Sequence, residues 1–152
     1  MMSRISGQFV LMLAAMLAVA GCTTISRPIY GVTEGQLSSC DGITGCISSQ
    51  STSPDHYIEP ISFTSLRSDA RLDLIAAMRD AGEHRLVSSH RSYVRGEFIR
   101  GDAIDDVEFY LPIEDRVIHV RSTTRNSRGD SELQKERIEG LRLRFRELQE
   151  RR

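Results

Sequence analysis

Lysine is almost absent from this 152-residue chain: of twenty basic residues, every one except Lys135 is arginine. A GC-rich genome is the simplest source of that bias, and bidentate anion binding by the arginines is the second reading. A surplus of either sign is missing too, because twenty-one acidic residues leave a net charge of -1. Without a clustered positive excess, nucleic acid is not an expected partner. There is no glycine-rich phosphate loop, no dinucleotide fingerprint, no Gly-x-Ser-x-Gly elbow and no internal repeat. The chain therefore offers no cofactor signature and no hydrolase motif. Four histidines without zinc-type spacing, and one C-x5-C pair, supply too few ligands to expect a metal. What is present, 39% hydrophobic and 27% charged residues, describes one soluble domain of ordinary size with a modest core.

The start of the chain carries an address. Arg4 precedes an apolar run from Phe9 to Ala20 that is too short to cross a membrane comfortably, as expected of an export signal. Val19-Ala20-Gly21-Cys22 resembles the bacterial lipobox. That resemblance implies cleavage after residue 21 and a lipid on Cys22, so that residues 1–21 are a signal peptide and the membrane is a partner through the anchor. Thr23 in place of aspartate implies delivery to the periplasmic face of the outer membrane, in a cell with two membranes. An ordinary secretory signal with a cysteine near its cut is the alternative.

Residues 22–56 are rich in Ser, Thr and Gly and show no helical or strand period, so they are expected to form a tether. Within them Cys40 and Cys46 flank a loop containing Gly42 and Gly45. In an exported protein, a disulfide is the default for such a pair. Closing so small a loop stabilises it by about 2 kcal/mol, which makes the bond a local clip. The competing reading makes Cys46 a nucleophile, with Ser48 or Ser49 nearby and His56, His84, His90 or His119 as its base.

Residues 57–152 read as an α+β domain, an antiparallel sheet of about four to five strands with two helices packed on one face. Asp105–Leu111 and Arg116–Arg121 alternate polar and apolar residues, which predicts a hairpin turning at Glu114-Asp115. That register sets Phe109 opposite Val120, Leu111 opposite Ile118 and Glu108 opposite Arg121. Further strands are expected at 57–63, 85–90 and 93–99. A helix capped by Ser68 should carry Leu72, Ile75, Ala76 and Met78 or Arg79 at helical spacing, and end at Gly82. A longer helix should start at Ser131, with Gln134 completing a capping box. Its apolar stripe, Leu133, Ile138, Leu141, Phe145 and Leu148, also contains Gln134 and Arg137, while Arg142, Arg146, Arg151 and Arg152 fall on a solvated face.

Cys46-Ile47-Ser48-Ser49, Asp105-Asp106-Val107-Glu108-Phe109, Val120-Arg121-Ser122, Arg125, Asp130 and Arg137-Ile138 together resemble the bacterial domain of unknown function 1499. The likeness runs from about Cys40 to the C-terminus. The chain departs from that pattern in lacking prolines and asparagine in the cysteine loop, in Ser127 where glycine is usual, and in Gln134 where asparagine is usual. The resemblance implies kinship and brings no reaction with it.

Two functions from different classes follow. One is a membrane-tethered, non-enzymatic binding or envelope-maintenance module, whose partner is a small anion or an envelope protein. Its candidate site gathers Arg121, Ser122, Arg125 and Arg137 at the start of the last helix, where free N–H groups favour an anion. In the competing arrangement Arg121 pairs with Glu108, and Arg137 pairs with Asp105 or Asp106. The other function is a Cys46-dependent enzyme.

Overall fold

Period-two alternation along residues 103–124 builds the centre of the sheet. The computed structural model describes residues 30–125 and 129–152. The expected signal peptide, Cys22, and Asn126, Ser127 and Arg128 lie outside the described residues. The elements run β1 (Val32–Thr33), β2 (Gln36–Leu37), β3 (Cys46–Ser48), β4 (Ile61–Ser62), α1 (Arg67–Asp80), β5 (His84–His90), β6 (Tyr93–Arg100), β7 (Ala103–Tyr110), β8 (Val117–Thr124) and α2 (Ser131–Glu150). The fold is α+β, with a six-stranded antiparallel sheet and a separate two-stranded one. The main sheet runs β3-β8-β7-β6-β5, and β4 also pairs with β8.

In the central hairpin Glu108 opposes Arg121 and Phe109 opposes Val120, which is the register the alternation predicts. A slip of one residue would move every side chain to the other face. On one face Val94, Gly96 and Phe98 of β6 lie beside Phe109, Val107 and Asp105 of β7, and these beside Val120, Ser122 and Thr124 of β8. The apolar members join Ala70, Leu74, Ala77 and Met78 of α1 and Ile138, Leu141 and Phe145 of α2 in a single core. Gly96 leaves room for Met78, whose Cε would lie 2.3 Å from an added Cβ.

The buried face of α1 is rotated from the expected stripe: Ala70, Leu74, Ala77 and Met78 are inside, while Leu72 is 52% exposed. Two alanines let this face approach closely, and the buried Asp73 beside them is paired with Arg152 at 2.8 Å. Ser68 lies inside α1, one residue past its first, so it does not cap it.

The tether expectation fails from Tyr30 onward. Cys46–Ser48 pairs with Thr123–Arg121 as a sheet strand, Ile47 is in the core, and Val32–Leu37 forms a small hairpin. Strands of two or three residues have no period to read, and their backbone pairing, not their composition, places them in the fold. The sheet accordingly has six strands where four to five were expected.

Candidate functional site

The face of the sheet away from the helices carries ionised groups, and it is not open. Glu97 of β6, Asp106 and Glu108 of β7 and Arg121 of β8 are all buried, the two β7 carboxylates completely. Arg121 donates to Glu108 at 3.0 Å. Arg125 donates to Asp106 through Nε at 2.7 Å and also pairs with Glu97. Arg95 donates to Asp106 at 2.8 Å, and Arg85 to Glu97 at 2.9 Å through Nε. Charge-assisted bonds of this kind are what keep carboxylates ionised out of water.

The start of the described chain closes this face from above. The Tyr30 hydroxyl donates to Asp106 at 2.8 Å, the Gly31 amide to Glu108 at 2.7 Å, and the Arg95 guanidinium lies 3.4 Å over the Tyr30 ring. Tyr93 adds a further hydrogen bond to Glu108 at 2.7 Å. Burial pushes the Asp106 carboxyl up, but hydrogen bonds from Arg125, Arg95 and Tyr30 outweigh it and hold it below its ordinary value. Glu97 shows the same balance, with burial overcome by Arg85 and Arg125. Burial, and then the bond to Glu108, raise the Tyr93 phenol. Tyr30 and Gly31 escape sequence reading because no local pattern marks a segment that bonds to residues more than seventy positions away.

The four residues proposed as an anion site do not converge. Arg121 and Arg125 lie on this polar face, whereas Ser122 and Arg137 lie on the helix side of the sheet. Arg137 pairs with Asp105 at 2.7 Å, one of the two partners expected for it, and its guanidinium sits 5.2 Å from the centre of the Phe98 ring. Ser122 donates to Gln134, whose amide nitrogen donates to Asp105 and Thr124, both at 2.8 Å. Gln134 is thus a buried link between helix and sheet, not half of a capping box. The cap is Asp130, which accepts from Glu132 N at 2.9 Å and Leu133 N at 3.5 Å. A carboxylate already occupies the helix start that was to hold an anion, and another neutralises Arg137, so the arrangement is a closed set of ion pairs.

Two arginines expected on the solvated face of α2 are bonded instead. Arg142 donates to the Pro60 and Glu59 carbonyls at 2.7 and 2.6 Å, and Arg152 to Asp73 at 2.8 Å. Both contacts join segments more than seventy residues apart, beyond the reach of helical phase.

Cys40 and Cys46 are bridged, and both are buried. The bond consumes the thiol that a Cys46 nucleophile would need. Its loop has a packing role: a Cβ on Gly45, which has φ +67°, would fall 2.2 Å from backbone atoms of Gly129. The clip thus abuts the residue before Asp130 and holds the start of α2 beside the β3–β8 pair. Ser49, His56 and His119, three of the groups proposed to assist Cys46, are tied as well. Ser49 Oγ accepts from Val120 N at 2.9 Å and lies 3.2 Å from His119 Nδ1, and His56 Nδ1 lies 2.8 Å from the Cys46 carbonyl. Burial lowers the His119 imidazole, with Asp115 opposing. Among the described residues, no group of three or more His, Cys, Asp or Glu is placed to hold a metal. None of the described helices is long and apolar enough to cross a membrane.

No curated protein matches the chain. The sequence profile of a family described as protein of unknown function (DUF1499) matches residues 36–145. That span takes in the cysteine clip, the hairpin with its ion pairs and most of α2. The chain belongs to the DUF1499 family.

Proposed function

We propose that this protein is a lipid-anchored, non-enzymatic binding module of the bacterial cell envelope, held at the periplasmic face of the outer membrane through Cys22. The observation that carries the reading is the buried Cys40–Cys46 bridge. A disulfide persists in an exported protein and removes the one thiol on which the enzyme alternative rests. The lipobox-like Val19-Ala20-Gly21 before Cys22 supplies the anchor. Tyr30 follows Cys22 by eight positions, at most about 28 Å of extended chain, so the anchor keeps the domain close to the bilayer. Its partner is a small anion or an envelope protein.

Labelled palmitate tests the anchor. It should enter the wild type and not Cys22→Ala; equal labelling of the two proteins contradicts the reading. Thiol titration of freshly isolated, unreduced protein tests the rest. No thiol should be found at Cys40 or Cys46, and two free thiols would return Cys46 to the role of nucleophile.

A further inference from the structure

The start of α1 meets the β5–β6 turn at an open cleft of about 520 Å³, lined by Arg67, Ser68, Arg71, Ser89, His90 and Arg91. Arg71 donates to Ser89 Oγ at 2.7 Å, which ties the two walls together. No carboxylate lines the cleft. The acid of the first turn, Asp69, lies 3.5 Å from Arg152. Among the described residues, Arg67, Arg71 and Arg91 form no ion pair, and Arg67 Nη1 is buried without a hydrogen-bond partner. The helix start adds donors. Leu66 at the N-cap offers no side-chain acceptor, and the backbone amides that reach its carbonyl are Asp69 N and Ala70 N, beside the Ser65 hydroxyl. The amides of Arg67 and Ser68 therefore have no protein acceptor there.

Three guanidiniums and an uncapped fourteen-residue helix meet at one cleft that no carboxylate lines, and together they suit an anion with several acceptor oxygens. A phosphoryl group has that form: its oxygens match guanidinium forks and helix amides together. The serine hydroxyls add uncharged donors. The cleft is also larger than one phosphoryl group, which leaves room for what the group is attached to.

We infer that this cleft binds a phosphoryl group, either free or on the headgroup of a membrane lipid. The inference gives the binding-module reading its ligand class and rests on that reading for its setting in the envelope. The two fail separately, because loss of palmitate labelling would leave phosphate binding as it is.

The test is calorimetric titration of the processed, detergent-solubilised protein at constant ionic strength. The titrants are inorganic phosphate, glycerol 3-phosphate and glycerophosphoglycerol, with chloride as the reference. At least one phosphate compound should bind and chloride should not. Tighter binding of the glycerol esters identifies a lipid headgroup, and tighter binding of inorganic phosphate a free ligand. Arg67→Gln/Arg91→Gln, which leaves the Arg71–Ser89 bond in place, should weaken binding by about tenfold or more. Should that variant fold poorly, Arg91→Gln alone, on the exposed turn, should still weaken it several-fold. No binding of any phosphate compound by the wild type, or equal affinity in wild type and a folded variant, overturns the inference.

Discussion

The two helices begin in opposite electrostatic circumstances. At the start of α2, Asp130 caps the free amides, and the nearby Arg137 is closed by Asp105 at 2.7 Å. At the start of α1, Leu66 cannot cap, Asp69 is turned to Arg152, and Arg67, Arg71 and Arg91 gather around a cleft that no carboxylate lines. Arginines beside a helix start do not by themselves mark an anion site. The local ratio of guanidinium to carboxylate decides, because a buried cation with an acid in reach is already neutralised. By that ratio α2 has a structural start and α1 an open one, although sequence pattern draws attention to the first.

The largest effect should come from opening the closed pairs. Arg121→Ala or Arg137→Ala leaves Glu108 or Asp105 buried without its nearest cation, so each should destabilise by about 3 kcal/mol or more in urea melts. A loss below about 1 kcal/mol in both would mean that the pairs are not structural. Gly45→Ala comes next and tests how the start of α2 is held. The positive φ and the contact with the Gly129 backbone should cost about 2 kcal/mol. Wild-type stability would contradict the proposed buttress.

Acid should separate the regions more gently. The folded values of His119, Glu97 and Asp106 all lie below their ordinary ones of 6.5, 4.5 and 3.8. In each case the unfolded chain takes up the proton first, so stability is complete above the ordinary value and is lost as pH falls through the lowered one. Urea midpoints should therefore fall in two stages, below about pH 6.5 and again below about pH 4.5. His119→Gln should abolish the first stage only, and an unchanged first stage would show that another group titrates there. The smallest effect is expected at Arg91, which is exposed and has no acid to lose. Arg91→Gln should change stability by less than about 0.5 kcal/mol without added phosphate. A loss above 1 kcal/mol would mean that the cluster at α1 has a structural partner.

How legible each region was follows from the range of its contacts. The β7–β8 hairpin could be read to the residue because alternation fixes faces, and a slip by one would bury Asp106 and Glu108 against the helices. An acidic partner for Arg137, Asp105 or Asp106, was legible for a related reason, since helical phase put an arginine into an apolar stripe where it needs an acid; the choice of Asp105 was not, because it depends on which sheet face meets α2. β1, β2 and β3 were hidden because such short strands carry no period in a Ser-, Thr- and Gly-rich segment. Helical phase misjudged α1, where small Ala70 and Ala77 outcompete Leu72 for the interface. The cleft was invisible because its arginines come from segments about twenty residues apart that no motif links, and only the fold of α1 against the β5–β6 turn brings them together.

The contrast between the two helix starts is tested most directly by melting temperatures with and without phosphate, measured for the wild type, Arg137→Ala and Arg67→Gln/Arg91→Gln. Arg137→Ala should melt well below the wild type and keep the upward shift with phosphate. The double variant should melt near the wild type and lose that shift. A shift lost in Arg137→Ala and kept in the double variant would place the anion at the start of α2 and contradict the account.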